Sequence, residues 1–355
     1  MGLYSIEAHN NMRTHLRTIL VIALAAGLLG LFLSNVDVRR VGAEIAHARP
    51  EWLAVSLAMS VLNLTIRAFR WRYLLEPLGE TSFADAFRAT AVGFAANSIL
   101  PARAGEVIRP YFLARRARMS ATGAFATIIL ERLLDVVTVL GLLALFVFVF
   151  GRDMARTNPT VFAGLKVAGA TAAAASVGAL VVLFVLAGDP ERLGRTMARL
   201  EQMLPSSLAG MIARVAEKFA RGLGAIRRPG RLFVALACSL PLWLSIAFGI
   251  WAVARAFHLA IPFSGTFLMI SILTVGVAVP TPGSIGGFHE AFRLGATTFY
   301  GAPDAAAVGA ALVLHLISMG PALVLGLAFA AEAGLNFASM RQLADGADAP
   351  PGAVS

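Results

Sequence analysis

"ILPARAGEVIRPYFLARRARMS", residues 99–120, lies between two apolar runs. It carries prolines, a glycine, one glutamate and five arginines: Arg103, Arg109, Arg115, Arg116 and Arg118. The fold has to explain why so much charge and backbone irregularity sits between two segments apolar enough to enter a bilayer.

Working outward, the chain is 58% hydrophobic and only 14% charged, with a mean hydropathy of +0.76. A soluble domain holds roughly 25% charged residues, so lipid is the main solvent here. Several runs reach the roughly 20 apolar residues that cross a hydrocarbon core of about 30 Å. The runs are continuous, not alternating, which excludes a transmembrane β-barrel. The fold class is an all-α polytopic membrane protein. The net charge is +10, and all basic side chains except Lys166 and Lys218 are arginine. Because the arginines interleave with membrane segments, they fit cytoplasmic loops beside anionic headgroups and argue against nucleic acid. Cys238 is the only cysteine, so no internal disulfide forms. Arg13 and Arg17 precede "ILVIALAAGLLGLFL" with no clean cleavage pattern after it. This reads as an uncleaved first span with its N-terminus in the cytoplasm.

About six full transmembrane helices are expected, near 17–35, 51–68, 122–150, 160–187, 232–257 and 304–331. Two further apolar stretches, 84–100 and 263–280, are short, and each ends in proline and glycine. Basic segments at 67–72, 103–118 and 189–231 all face the cytoplasm if arginine bias sets topology. The stretch 84–100 then enters and leaves on one side, as a re-entrant broken-helix hairpin. Arg39, Arg40 and Arg49, in a loop expected outside, run against that bias. Residues 1–335 form one transmembrane domain. Within it, 189–230 reads as a cytoplasmic amphipathic segment, with Leu208, Met211, Ile212, Val215 and Phe219 at helical spacing. A small helical hairpin packed under the bundle accounts for the same spacing. Residues 336–355 read as a disordered cytoplasmic tail.

The two short stretches belong to an internal repeat, about 51–150 and 232–331. Phe83 and Phe87 precede the first break, and Phe263 and Phe267 the second. An offset of 184 residues relates Glu106 to Glu290, Arg109 to Arg293, Ser120 to Asp304 and Glu131 to His315. Ser120 and Asp304 read as helix caps. Three crossings separate the copies in this topology, so the second is inverted. Inverted repeats with broken helices are an alternating-access architecture.

Irregular backbone at membrane depth is tolerated only inside protein or around a wet cavity. The breaks at Pro101 and Gly105, and at Pro280, Pro282, Gly283, Gly286 and Gly287, therefore argue for a polar interior. Glu131 lies roughly 16 Å along the helix that starts near Ser120, close to the midplane. Glu131, Arg132 and Asp135 there each cost about 2.5–3.5 kcal/mol unless they face one another or water. Glu131 and Asp135 share a face and call for a cation, with Arg103 or Arg109 as the expected partner. Candidate substrate-binding residues are Arg103, Glu106, Arg109, Glu131, Arg132, Asp135, Glu290, Arg293 and His315. An ion-pair network that fixes helix packing explains the same charges. Arg67, Arg70 and Arg72 with Trp71 read as membrane-interface residues. No catalytic residue, metal site or cofactor is expected.

"LPARAGEVIRPYFLARR", "ATIILERLLD" and "VPTPGSIGGFHEAF" resemble the flippase-like transmembrane domain of lysylphosphatidylglycerol synthases, over residues 15 to 335. By position, the resemblance implies motif roles for Pro101, Arg103, Gly105, Glu106, Arg109, Glu131, Arg132, Pro280, Pro282, Gly283, Gly286, Gly287 and Glu290. Ser284 stands where that family more often has glycine. The resemblance implies a bacterial inner-membrane protein that moves a lipid between leaflets. Its synthase activity is not carried over, because no aminoacyl-transfer domain is expected within 355 residues.

The leading expectation is a lipid flippase, without a phosphate-binding Gly-x-x-x-x-Gly-Lys-Ser/Thr loop. Its partner is a membrane lipid: an anionic or aminoacylated phospholipid, a hopanoid, a glycolipid or a polyprenyl carrier. The alternatives are a membrane-embedded lipid-modifying transferase and a non-catalytic scaffold of a lipid-synthesis complex.

Overall fold

The computed structural model describes residues 36–100, 103–150, 159–188, 229–278 and 281–334, with positions 23, 27, 29, 30 and 32–34 before them. Most of the expected first span, Pro101, Pro280, the amphipathic segment at 189–228 and the tail lie outside the described residues.

A short helix α1 (Val38–His47) opens on Asp37, whose carboxylate accepts from the Arg39 and Arg40 backbone N–H groups. Pro50 then starts the long α2 (Pro50–Leu75), as suits a residue with no N–H to lose in a first turn. Ser82 caps α3 (Phe83–Ile99) by accepting from the Asp85 N–H. That helix stops where Leu100 turns extended before Pro101, because proline disfavours helical backbone in the residue ahead of it. The chain resumes as α4 (Gly105–Ala117). Ser120 caps α5 (Ala121–Leu145), which runs on through a π-helical turn at Phe146–Phe150. Next come α6 (Pro159–Gly188) and α7 (Pro229–Ala256). The second broken pair is α8 (Gly265–Ala278) and α9 (Gly287–Tyr300), separated by a 3-10 turn at Pro282–Ser284. The chain closes on α10 (Asp304–Glu332). Ser120 caps α5 as expected, but Asp304 is the first residue of α10 and Pro303 holds the cap position.

The chain is a multi-pass all-α membrane protein. Among the described residues, four helices are long and apolar enough to cross a bilayer: Pro50–Leu78, Ala121–Phe150, Gly230–Ala256 and Asp304–Glu332. The expected span at 160–187 falls on α6. In contrast, α3, α4, α8 and α9 have 17, 13, 14 and 14 residues. At 1.5 Å per residue each is shorter than a hydrocarbon core of about 30 Å.

The succession long, short, short, long occurs twice, as α2–α5 and α7–α10. The packing follows it. Helix α2 lies along α7, α3 packs on α10 and α8 on α5, and within each half the two short helices pack together.

Small residues allow these approaches, since lipid leaves helix association to close packing and polar contacts. A Cβ on Gly105 would fall on the Gly93 carbonyl oxygen and 2.6 Å from Asn97 Oδ1. In the second half, a Cβ on Gly276 would meet Ala291 Cβ and the Gly287 carbonyl, each at 2.5 Å. Gly105→Ala is therefore expected to lower the thermal unfolding midpoint of the detergent-purified protein by several degrees. Gly141→Ala in α5, where a Cβ meets nothing within 4 Å, leaves that midpoint unchanged.

Candidate functional site

Glu131 and Asp135 stand one turn apart on α5, and both carboxylates are buried. Arg70, on α2 and wholly buried, bridges them. Its Nη2 donates to Glu131 Oε1 at 2.9 Å and its Nη1 to Asp135 Oδ1 at 2.7 Å. Nη1 also donates to Ser239 Oγ on α7 at 2.6 Å. Arg67, one turn earlier on α2, donates to Asp135 Oδ2 at 3.5 Å and lies 3.7 Å from Glu131 Oε1. From α4, Arg109 donates to Glu131 Oε2 at 3.0 Å while its guanidinium lies 3.9 Å from the Trp71 ring centre. Trp243 Nε1 on α7 donates to Asp135 Oδ1 at 3.1 Å. Arg132 is looser, with Nη2 at 3.8 Å from Glu131 and 3.6 Å from Asp135.

This arrangement corrects the interface reading of "RAFRWR": Arg67, Arg70 and Trp71 are buried. Arg67 and Arg70 are i and i+3 on one helix, so both reach the face that Glu131 and Asp135 share. That spacing was the available signal, together with two carboxylates lacking enough counter-charge on their own helix. Of the two expected partners, Arg109 pairs with Glu131. Arg103 instead donates to the Val277 carbonyl at 2.7 Å, neutralising the carbonyl end of α8.

A cavity of about 430 Å³ lies beside this network and reaches both breaks. Its polar wall includes Asn97, Ser98, Arg103, Glu106, Arg132, Asp135, Thr274, Thr281 and Ser284. Phe94, Val136, Val139, Trp243, Val277 and Met319 supply apolar surface. Of the sequence candidates, Arg103, Glu106, Arg132 and Asp135 line the cavity, whereas Glu131 and Arg109 are buried in the network behind it. Glu290 and Arg293 are brought together elsewhere. Arg293 forms a two-pronged bond to Asp304, at 2.6 and 3.0 Å, and lies 3.6 Å from Glu290.

The second break is held by two histidines. His315 on α10 donates from Nε2 to the Gly283 carbonyl at 2.8 Å. His289, which sequence reasoning missed, accepts the Gly286 N–H at Nδ1 at 3.3 Å. The two rings meet edge-on with centres 4.6 Å apart. Gly283 (φ 57°), Ser284 (φ 57°) and Gly286 (φ 87°) all have left-handed or otherwise positive φ. Two of the three need a glycine's freedom and have it; Ser284 bears the strain.

A chamber at two helix breaks, bordered by buried charge and lined by polar and apolar side chains in a bundle of apolar helices, defines a multi-pass membrane protein built around an interior cavity. Residues 18–326 match the lysylphosphatidylglycerol synthase TM region, and the chain belongs to that family. It is 24% identical over 321 residues to the glycosyltransferase AglD of Haloferax volcanii, covering 84% of this chain and 51% of that protein. It is 26% identical over 121 residues to the UPF0104 membrane protein MJ1595 of Methanocaldococcus jannaschii, covering 33% of this chain and 36% of that one. The matches thus span about half, and about a third, of these relatives' lengths.

Arg70→Met removes the guanidinium that bonds both buried carboxylates, leaves Arg67, Arg109 and Trp243 to hold them, and is expected to destabilise the protein by about 3 kcal/mol. Arg132→Gln, partly exposed and loosely paired, costs less than about 1 kcal/mol. Ser284→Gly relieves left-handed strain and is expected to stabilise by about 1 kcal/mol. Equilibrium unfolding in detergent reads all three.

Proposed function

We propose that the protein is a lipid flippase of the bacterial cytoplasmic membrane, with both termini in the cytoplasm. The observation that carries this reading is the 430 Å³ cavity that reaches both breaks and is lined by charged, hydroxyl and apolar side chains together. A lipid headgroup crosses through it while the acyl or prenyl tails remain in the bilayer. Arg103, Glu106, Arg132 and Asp135 touch the headgroup. Glu131 and Arg109 hold the scaffold that positions them, and His315 holds the second break. Residues 51–150 and 232–331 act as inverted copies, each contributing one re-entrant hairpin, and alternating access comes from one copy moving against the other. The doubled order of helices and the matching contacts between halves support that assignment. The protein itself is not an enzyme in this reading, and an ion gradient or the lipid gradient drives transfer.

One finding favours a second reading, a membrane-embedded lipid-modifying transferase: the Haloferax relative is named a glycosyltransferase.

Purified protein in liposomes with headgroup-labelled lipids, followed with a membrane-impermeant quencher, separates the readings. Leaflet exchange faster than in protein-free liposomes is expected. Thr274→Trp, which fills the cavity from a helix that supplies no member of the ion network, abolishes it while the unfolding midpoint is retained. Chemical conversion of the lipid in place of exchange identifies a transferase. Neither exchange nor conversion leaves a scaffold and overturns the flippase.

A further inference from the structure

The charges around the cavity do not balance. Arg67, Arg70, Arg109 and Arg132 converge on only two carboxylates, Glu131 and Asp135. Four cations against two anions leave an excess of two positive charges. The Arg103–Glu106 pair, 3.9 Å apart at the first break, adds none. The excess lies within a span of a lipid-embedded protein, where it is screened far less than on an aqueous surface.

Three of the four arginines are committed, since Arg67, Arg70 and Arg109 each donate a hydrogen bond to a carboxylate. Arg132 donates none to any described residue. Its closest carboxylate oxygen is 3.6 Å away, its Nε is buried without a partner, and its side chain, 38% exposed, lines the cavity. Two more cavity-lining groups are buried and unsatisfied, the Thr281 hydroxyl and the Asn97 Oδ1. The loosely paired Arg132 fork and the free Thr281 hydroxyl are donors that suit an oxyanion, whereas Asn97 Oδ1 is an acceptor and calls for a hydroxyl on the ligand.

On the reading of this cavity as a headgroup site, we propose that its ligand is a lipid bearing a phosphate monoester, held by Arg132, with Arg103 also in the cavity wall. Such a group carries about −1.5 to −2 charges near neutral pH, which matches the excess. A phosphodiester carries one charge and leaves the site half neutralised. An amine headgroup is repelled. The apolar wall at Phe94, Val136, Val139 and Met319 favours a lipid over free phosphate.

The test uses the full chain in detergent, titrated calorimetrically with short-chain phosphatidic acid, phosphatidylglycerol, phosphatidylcholine and inorganic phosphate. Phosphatidic acid is expected to bind most tightly, roughly tenfold better than phosphatidylglycerol, and more weakly as salt rises. Arg132→Gln loses roughly tenfold of that affinity with its unfolding midpoint retained. Glu106→Gln has the opposite effect and binds phosphatidic acid several-fold more tightly, because the cavity loses a negative charge beside Arg103. A merely structural role for these residues cannot produce that gain. Preference for phosphatidylcholine, wild-type affinity in Arg132→Gln or weaker binding in Glu106→Gln overturns the proposal. Inorganic phosphate binding as tightly as phosphatidic acid overturns the lipid part and leaves a free-anion site. Exchange of lipids in liposomes without any preference for phosphate monoesters sinks this inference alone. Arg132-dependent phosphate binding without exchange upholds it and sinks the flippase.

Discussion

Two carboxylates one turn apart on a lipid-embedded helix dictate the packing around them. Glu131 and Asp135 repel each other, and neither can be left unpaired away from water, where an isolated charge costs several kcal/mol. The chain meets that demand from three helices besides α5: Arg67 and Arg70 from α2, Arg109 from α4, and Trp243 from α7, where Ser239 also accepts from Arg70. In lipid no hydrophobic force distinguishes one helix neighbour from another, so polar contacts and close packing select the partners. The network thereby fixes which helices meet and at what height. Arg109 also stacks on Trp71, whose indole N–H is tied to Thr127 at 3.0 Å. That seats α4, and with it the end of the first break.

The cavity follows from that seating. With α4 held against α2 and α5, Arg103 is carried across to the last carbonyls of α8. The second break then comes up under α3, with Gly283 close enough that a Cβ there would lie 3.2 Å from the Ser98 carbonyl. Two stretches of irregular backbone are thus brought together between the long helices. Their free N–H and C=O groups need polar surroundings, and the volume between them is where those surroundings are.

Composition and punctuation made most of the fold legible in the amino-acid sequence. The apolar runs marked the long helices, and proline with glycine marked both breaks to within a few residues. The carboxylates on α5 stood out because charge is costly at that depth. The partners were less legible. Arginine beside tryptophan at the end of a span has the same composition whether it faces headgroups or a neighbouring helix. Only the pairing of α2 with α5, more than 60 residues on, decides that Arg70 is buried. The 184-residue correspondence likewise aligns Arg109 with Arg293, yet Arg109 pairs with Glu131 and Arg293 with Asp304. A matched spacing in sequence preserves the place of a side chain on its helix, not the identity of what it meets.

What the doubled order of helices does preserve is a mechanical role. Glu131 and His315 occupy equivalent places on the last helix of their halves, and each ties that helix to the break before it. Glu131 does so by accepting from Arg109 on the helix that follows the first break. His315 does so by donating to the Gly283 carbonyl within the second. One fastening uses full charges and the other a hydrogen bond to backbone. The charged one required further arginines to settle Asp135 beside it, and those arginines outnumber the carboxylates. The neutral one required nothing more, so the second half contributes hydroxyls, carbonyls and apolar surface to the chamber. Corresponding positions fastened by different chemistry therefore give a doubled order of helices an interior whose excess positive charge comes from the first half alone.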